Sequence, residues 1–259
     1  MSKNPVKALD LTSIDWVLNT TRSVRQRLDL ERPVPTALID EALNIALQAP
    51  TGANTQTWRF LVITDPAIKG QIADCYRRAA QAYVEGRTAL SRTGVTMMRE
   101  YAADDLRQQQ RAALLKSGGF LMEHLQRVPV MIIPCIEGRF EQDDVFTQAS
   151  MWGSILPATW SLMLALRARR LASAWTTLHL LYEQEISTLL GIPANVTQAA
   201  LLPVAWLTGG DLHPAQRLPV AEVTYRERWG EQLTLQHGAR AGLPAQIKST
   251  KRGRYGAFD

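Results

Sequence analysis

Apolar residues recur with helical spacing in five segments of the chain. A spacing of three to four residues predicts amphipathic helices, because such positions fall on one helical face. The predicted helices are Ile14–Leu18, Leu38–Leu47, Ile68–Tyr83, Val145–Arg169 and Glu185–Leu190. The longest carries the small residues Ala149, Gly153 and Ala158 among its large apolar side chains. The last is expected to end at Gly191, since glycine commonly follows the final helical residue.

Near-continuous apolar runs alternate with these helices and predict strands. The runs cover residues 60–64, 128–136, 172–178 and 199–208. Strands of this composition are typically covered on both faces. Pro134 and Pro203 lie inside two of the runs. Because proline has no amide hydrogen, a strand end, an edge or a bulge is expected at each. The order of elements therefore predicts a central sheet with helices on both faces.

Two polar segments interrupt this pattern. Residues 85–120 are polar and less regular, and we expect a mainly helical insertion between the first two strands. Residues 232–259 are rich in Gly, Arg and Gln and cannot build a core of their own. This tail is either disordered or laid across another surface. We therefore assign residues 1–231 to one domain and treat residues 232–259 as an arm or a disordered tail.

Composition narrows the class of protein. The chain has 259 residues, 46% hydrophobic and 20% charged, which suits one large domain. No run of 18 or more uncharged apolar residues predicts a membrane span, and the first residues lack the apolar core of a signal peptide. Cys75 and Cys135 are far apart, so a reducing, cytoplasmic setting is favoured over a disulfide framework. The net charge of +5 permits nucleic-acid binding, but without a recognisable nucleic-acid motif we favour a basic enzyme surface.

Common catalytic signatures are missing from the sequence. It contains no GxGxxG, Walker, GxSxG or HExxH motif. The four histidines, His124, His179, His213 and His237, have no metal-ligand spacing with one another. We therefore expect neither a metal site nor a catalytic side chain.

The segment TRSVRQR, at the end of the first predicted helix, carries candidate anion chemistry. Arg22, Ser23 and Arg25 offer two guanidinium groups and a hydroxyl within four residues. Arginine binds a phosphate bidentately and stays charged, so this set suits a phosphate dianion. A solvated helix end is the competing interpretation, and the motif alone favours that simpler one.

Two further segments carry unusual numbers of hydrogen-bonding groups. In PTGANTQTWRF, the side chains of Asn54 and Gln56 each present a donor and an acceptor, and Gly52 lets a flat ligand approach the backbone. A plain helix–strand connection needs none of these groups. In WTTLH, residues 175–179, an aromatic ring, two hydroxyls and backbone amides follow a predicted strand. Each segment alone is a weak signal of a ligand site.

In combination, these segments resemble the FMN-dependent nitroreductase family. The family opens on Arg–Arg–Ser–x–Arg and later carries Pro–Ser–x–x–Asn–x–Gln–Pro–Trp, which here read TRSVR at 21–25 and PTGANTQTW at 50–58. The resemblance extends through LALRARRLASAWTTLHLL and LPVAWLTGGDLHPAQRLPVAEV and covers residues 12–229 approximately. It implies an α+β fold, a three-layer α-β-α sandwich with a central mixed, largely antiparallel sheet. It also implies a homodimer with FMN at the subunit interface.

The resemblance assigns cofactor-binding roles by position. The residues expected to hold the FMN phosphate and ribityl chain are Arg22, Ser23, Arg25 and Arg217. The residues expected to line the isoalloxazine and ribityl groups from the partner subunit are Pro50, Thr51, Asn54 and Gln56. The residues expected along the flavin ring, where a backbone amide would donate to flavin N5, are Trp175, Thr176, Thr177 and Leu178.

The insertion and the tail also have counterparts in the family. Residues 85–120 correspond to the region that covers the flavin and sets the substrate, where the resemblance is least informative. Tyr83, Tyr101 and Phe120 are candidates for the pocket lid, with core or surface packing as the alternative for each. Residues 232–259 could form the C-terminal arm that family members extend over the partner.

The implied activity is that of an FMN-dependent NAD(P)H oxidoreductase. It would reduce nitroaromatics, quinones or similar small, flat, electron-poor acceptors by ping-pong hydride transfer through the flavin. A second possibility is another reaction of the same fold, namely dehalogenation, flavin fragmentation or biosynthetic dehydrogenation. Deiodinase-like members grip an amino-acid zwitterion with charged lid residues, and residues 85–120 show no clear equivalent. A third possibility, a flavin- or nucleic-acid-binding protein without turnover, has only the basic pI in its favour. We expect no nucleic-acid or membrane partner.

Overall fold

The computed structural model describes residues 9–88 and 99–231. Within these residues the helices are α1 (Leu11–Thr20), α2 (Thr36–Ala46), α3 (Pro66–Val84), α4 (Leu106–His124), α5 (Val145–Ala168) and α6 (Glu183–Leu190). The strands are β1 (Trp58–Ile63), β2 (Val130–Glu137), β3 (Leu171–Ser173), β4 (Val196–Gln198) and β5 (Leu202–Trp206). The predicted tail at 232–259 lies outside the described residues, as do residues 89–98 of the predicted insertion.

The five predicted helices are confirmed, and capping explains where several begin and end. Asp10, Asp65, Asp105 and Asp144 immediately precede α1, α3, α4 and α5, and each carboxylate accepts a hydrogen bond from a first-turn amide. An aspartate at this position satisfies amides that have no partner inside the helix. Helix α6 ends at Gly191, which adopts φ 64°, as its sequence predicts.

The sheet has the strand order β1-β2-β5-β3, with β4 also pairing with β2. Every strand pair among the described residues is antiparallel. The α+β class is therefore confirmed. The parallel component of the predicted mixed sheet is not seen in these pairs.

A bulge interrupts the ladder of β2 between its partners β4 and β5. The registers of the two pairings differ by one residue, so one extra residue lies opposite β2. Pro134 of β2 faces this bulge, and its carbonyl accepts a hydrogen bond from the Ala199 amide at 2.8 Å. Pro203 is the second residue of β5, directly after the bulge. Both prolines thus lie at or beside an interrupted ladder, as predicted.

Two predicted strand spans were too long, and one strand was missed. The run 172–178 pairs regularly with β5 only as far as Ser173, because Pro203 has no amide hydrogen to donate to the Ala174 carbonyl. The Ala174 amide still donates to the Pro203 carbonyl at 3.3 Å, and Thr176 bridges to Leu201 in the same register. The run 199–208 contributes only Leu202–Trp206, since residues 199–201 form the bulge. Strand β4, Val196–Gln198, was not predicted, because its three residues include the polar pair of threonine and glutamine.

Alternate residues of β2 enter two different cores. Val130 and Ile132 pack with α2 and α5 on one face of the sheet. Met131, Ile133 and Cys135 pack with residues of α3, α4 and α6 on the other. The sheet is therefore covered on both sides, which confirms the three-layer sandwich.

Helix α5 is apolar around its whole circumference. It is the one helix among the described residues whose length and composition would allow it to cross a membrane. Ile155, Leu162 and Leu166 of this helix are fully buried against α2 and the sheet. That packing is typical of the central helix of a globular core, which passes the same test.

The chain separates into two compact units, Met1–Ala215 and Gln216–Asp259. All eleven elements named above belong to the first unit. In the described part of the second, Val220–Glu222 forms a 3-10 turn, and the rings of Tyr225 and Trp229 lie 4.8 Å apart. The predicted boundary at residue 231 coincides with the end of the described residues and stays a prediction.

Candidate functional site

A cavity of about 540 Å³ lies between α3, α4 and the segment after β3. Its walls are mostly apolar. The residues that line it are Arg25, Tyr76, Ala80, Tyr83, Val84, Thr88, Leu114, Leu115, Gly118, Gly119, Met122, Trp175, Thr176, Thr177, Leu178, Leu180 and Leu181. Five of the predicted cofactor residues are in this set, namely Arg25 and residues 175–178. Apolar cavities with a few convergent polar groups are the usual form of small-molecule sites.

The two predicted segments TRSVR and WTTLH meet at the end of β3. The amide of Val24 donates to the Ser173 carbonyl at 2.9 Å, which lays the TRSVR segment along the strand end. The amide of Trp175 donates to Oγ of Ser23, also at 2.9 Å. Ser23 and Val24 therefore satisfy backbone groups on the edge of this segment that faces away from β5.

The backbone that follows carries amides without a hydrogen-bond partner among the described residues. Thr176 exchanges backbone hydrogen bonds with Leu201 in both directions, at 3.2 and 2.8 Å. The next two amides, those of Thr177 and Leu178, donate no hydrogen bond to any described residue, and both residues line the cavity. A 3-10 turn, Leu178–Tyr182, starts directly after Thr177. A fixed donor at a cavity wall fits the amide that the family resemblance implies for flavin N5.

Arg25 is the one charged residue among the described residues that line the cavity. Its guanidinium makes no hydrogen bond or ion pair with a described residue, and burial lowers its pKa. The nearby Tyr76 is buried, and its hydroxyl shares a 3.0 Å hydrogen bond with Oγ1 of Thr176. Burial raises the pKa of Tyr76, so the phenol keeps its proton, and the charge of Arg25 opposes that rise only in part. A partly desolvated cation without a counter-charge favours the binding of an anion.

The arginines of the TRSVRQR run have different roles. Arg22 is half-buried and is not among the residues that line the cavity. Arg27 holds the turn after β5: its Nε donates to the Thr208 carbonyl at 2.8 Å, and its guanidinium also donates to the Gly210 carbonyl. The run is therefore neither a single anion site nor a uniformly solvated helix end.

The loop PTGANTQTW has a strained and exposed backbone. Ala53, Asn54 and Gln56 adopt φ values of 49°, 55° and 52°, a region that non-glycine residues rarely occupy. Gln56 Nε2 donates to Asn54 Oδ1 at 3.2 Å, and the Gly52 amide donates to Ser154 Oγ of α5 at 3.0 Å. Backbone strain of this kind tends to cluster at ligand clamps and costs about 1–3 kcal/mol per residue.

The loop does not line the cavity of its own chain. The predicted loop residues Pro50, Thr51, Asn54 and Gln56 are absent from the cavity wall, and Thr51 alone among them is half-buried. The structure of one chain thus assembles the Ser23–Arg25 and 175–178 groups but not the loop group. Arg217 lies in the second compact unit, and its predicted contact with the phosphate stays a prediction.

One of the three lid candidates lines the cavity. Tyr83 does so from α3. Tyr101 instead receives the Arg107 guanidinium over its ring at 4.1 Å, and Phe120 packs edge-on against His124, and neither lines the cavity. Packing, the alternative interpretation, therefore fits Tyr101 and Phe120.

Sequence reasoning missed several cavity residues on α3 and α4. Tyr76 lies in the apolar stripe of α3, where the sequence pattern predicts a core residue and gives no sign of a cavity. The adjacent glycines Gly118 and Gly119 did carry a signal, because glycine inside a helical pattern usually has a packing or functional reason. Met122 follows them one turn later on α4.

His179 is fully buried next to the cavity segment. Neither of its ring nitrogens has a hydrogen-bond partner among the described residues. Burial lowers its pKa to about 3. The described residues contain no group of three or more His, Cys, Asp or Glu side chains that could hold a metal ion.

Helices on both faces of an antiparallel sheet, with a cation-bearing cavity at the end of β3, define an α+β protein with a candidate site for a small anionic ligand. Residues 18–206, most of the chain, match the model of the Nitroreductase family, and the chain therefore belongs to that family of oxidoreductase-type enzymes.

Individual relatives agree on the family and differ in named activity. The 5,6-dimethylbenzimidazole synthase of Rhodospirillum rubrum is 27% identical over 229 residues, which cover 86% of this chain and 91% of that protein. The iodotyrosine deiodinase of Thermotoga neapolitana is 38% identical over 64 residues, 25% of this chain and 34% of the relative. The chain spans about a third of the length of the first curated relatives it matches.

A solved structure shows the same fold. The FMN-dependent nitroreductase NfnB from Mycobacterium smegmatis, in complex with NADPH, superposes with a TM-score of 0.58. Its sequence is 19% identical, and the superposition covers 84% of this chain and 99% of that one. This likeness supports the fold alone.

Proposed function

We propose that this protein is an FMN-dependent NAD(P)H oxidoreductase that reduces small, flat, electron-poor acceptors such as quinones or nitroaromatics. The observation that carries the proposal is the partly buried Arg25 guanidinium, which has no counter-charge among the described residues and lies in an otherwise apolar cavity. A ligand that combines a phosphate with a flat ring system fits this arrangement. We propose NADPH as a reductant by analogy with the NfnB nitroreductase, which has the same fold and was solved in complex with NADPH.

The donor set of the cavity fits FMN. Arg25 can bind the phosphate, and Ser23 fixes the backbone that follows β3 through its bond to the Trp175 amide. The indole of Trp175 gives a flat wall for a ring, and the Thr177 amide is a donor that has no partner among the described residues. When bound, FMN supplies the two-electron chemistry that side chains cannot.

The protein's own residues position and shield the reactants. NAD(P)H would lose a hydride and become NAD(P)+, and a quinone would gain two electrons and two protons, the second proton coming from solvent. Tyr76 keeps its proton, and its bond to Thr176 holds the neighbouring Thr177 amide in place. The apolar walls exclude water from the reacting atoms. We propose that the nicotinamide and the acceptor use the same cavity in turn.

A second candidate, flavin fragmentation, is supported by one comparison. The relative matched over most of its length is named a 5,6-dimethylbenzimidazole synthase. Deiodination has weaker support, since the match to the curated deiodinase is short and the described part of the cavity wall offers one charge, Arg25, for a zwitterion that needs two partners.

The absorption spectrum of the purified protein tests the proposal. We expect a band of oxidised flavin that bleaches when NADPH is added without oxygen. A flavin band that NADPH leaves intact would favour flavin fragmentation or another reaction of the fold. A colourless protein that fails to take up added FMN would contradict both candidates.

We further propose that two chains complete each site, with the PTGANTQTW loop supplied by the partner subunit. The loop is strained, exposed and separate from the cavity of its own chain. Exposed Ala149, Gly153 and Trp160 on the apolar helix α5 support a second chain on that surface. Free, buried Cys75 and Cys135 are compatible with a reducing compartment, and we propose a cytoplasmic location.

Mixing two defective variants tests this arrangement. One carries Arg22→Ala and Arg25→Ala, and the other carries Asn54→Ala and Gln56→Ala. If the loop serves the partner's cavity, each heterodimer has one intact site, so random mixing should restore about a quarter of the FMN sites in a two-fold dimer. Each variant refolded alone is the control. No recovery after mixing would place the loop and the arginines in the same chain's site or show that the loop has no part in it.

A further inference from the structure

Two adjacent glycines lie within the continuous helix α4. Gly118 and Gly119 lie inside this 19-residue helix, where each glycine costs about 1 kcal/mol relative to alanine. Neither adopts a positive φ, so the backbone does not require glycine. A Cβ built at either position meets no atom of the described residues within 4 Å, so packing against this part of the chain does not require glycine either.

Both glycines line the cavity, so the absence of side chains at these positions enlarges it. Ala80 and Tyr83 of α3 and Leu178 contribute other parts of the same apolar wall. The absence of two side chains here leaves a recess, which we call the Gly118–Gly119 notch. The two glycines lower the stability of α4, and this loss has a functional reason if a ligand group occupies the notch.

The notch continues into an apolar surface that reaches solvent. Leu114 and Leu115 lie four residues before Gly118 and Gly119 and therefore on the same helical faces. They also line the cavity, and they are 40% and 37% exposed. A ligand group that fills the notch can thus extend outward along leucine side chains.

The chemistry of the wall selects what can enter. Among the described residues that line the cavity there is no carboxylate or amine, and their single cation, Arg25, would be neutralised by the FMN phosphate. A charged group in the notch would lose its hydration without gaining a partner, which is strongly unfavourable. An alkyl group would gain free energy from the same desolvation.

We propose that the Gly118–Gly119 notch determines specificity by receiving an apolar substituent of an uncharged aromatic acceptor. The preferred acceptor is an alkyl-substituted, neutral ring compound, such as an alkylated quinone. This inference rests on the proposed function for the redox step, but the binding preference itself does not need turnover.

Binding of 4-alkylphenols, which mimic such acceptors without being reduced, measures the preference directly. Titration calorimetry of the holoprotein should show affinity rising from phenol to 4-butylphenol by up to about fourfold per methylene. The anion 4-butylbenzoate should bind much more weakly than 4-butylphenol. Equal binding of the anion and the phenol would overturn the proposed class of ligand.

Gly118→Ala and Gly119→Ala, singly and together, test the notch itself. Each should raise the melting temperature, because alanine stabilises a helix, and yet lower the affinity for 4-butylphenol more than that for phenol. We expect a five- to twentyfold loss for 4-butylphenol in the double variant, about the value of one or two buried methylenes. KM for an alkylated quinone should rise in parallel, while FMN content stays unchanged.

Gly70→Ala on α3 is the matched control. A Cβ at Gly70 also meets no atom within 4 Å, but Gly70 does not line the cavity. It should raise the melting temperature and keep every wild-type affinity. Notch variants that bind all phenols as the wild type does would contradict the proposal, and so would notch variants that lose FMN, since the notch would then house the cofactor. A flavin that NADPH fails to bleach would defeat the proposed function but leave the phenol result standing.

Discussion

Replacing Arg25 with alanine is expected to weaken FMN binding by about 10- to 100-fold, the value of one charge-assisted hydrogen-bond group. Binding of riboflavin, which has no phosphate, should hardly change. Fluorescence titration of the apoprotein with each ligand measures both constants. The variant should fold as stably as the wild type, because the guanidinium makes no hydrogen bond or ion pair with a described residue.

Arg32→Ala is the control for loss of positive charge. Arg32 stacks on the ring of Trp206 at 3.9 Å and does not line the cavity. If Arg25→Ala acted only through net charge, Arg32→Ala would weaken FMN binding by a similar factor. Raised salt would then bring the affinities of both variants close to that of the wild type. If Arg25→Ala weakens FMN and riboflavin equally, Arg25 shapes the cavity instead of binding the phosphate.

The same basic run shows what sequence can and cannot predict. Arg25 and Arg27 are two residues apart, and both suit a phosphate by chemistry. Long-range contacts give them different roles, because Arg27 donates to the carbonyl of Thr208, 181 residues later in the chain, whereas Arg25 has no such partner among the described residues. A short motif fixes which side chains are available, but the tertiary structure decides which of them stay free for a ligand.

The overlong prediction for β3 has a local cause. Periodicity correctly predicted the helices and the central strands, because their apolar positions face a continuous core. It extended β3 to residue 178, since the apolar composition of one run does not show that Pro203 in the partner strand would leave a gap in the ladder opposite Ala174. The error falls beside the candidate site, where the Thr177 amide has no hydrogen-bond partner among the described residues.

The α4 wall was the least predictable part of the site. Residues 85–120 have a weak apolar period, and the glycine pair lowers helix propensity further. The helix forms nevertheless, capped by Asp105 and packed through Leu121 into the core under α3. Tertiary burial of one end of α4 therefore overrides a poor local signal, and the glycines remain free to shape the cavity.

The buried His179 should make the protein's stability depend on pH. Burial lowers the pKa of this imidazole from its ordinary 6.5 to about 3. Between these values the unfolded chain binds a proton that the native protein does not, so the free energy of unfolding rises with pH. The stability that the protein has with a neutral His179 is fully present above pH 6.5, and it decreases as the pH falls towards 3. At pH 5 the loss from this residue is about 2 kcal/mol.

His179→Leu should remove this part of the pH dependence. Leucine is similar in volume and needs no hydrogen-bond partner, whereas both ring nitrogens of His179 have none among the described residues. Urea unfolding measures the free energy of unfolding at pH 7 and at pH 5. The decrease between pH 7 and pH 5 should be about 2 kcal/mol smaller in the variant than in the wild type. The exposed His213, changed to leucine, is the matched control and should keep the wild-type difference. Comparing differences within each variant cancels any packing change, because a misfit side chain costs the same at both pH values. An unchanged difference in His179→Leu would mean that the native protein accommodates the charged imidazole, by opening the 178–182 turn or by admitting water.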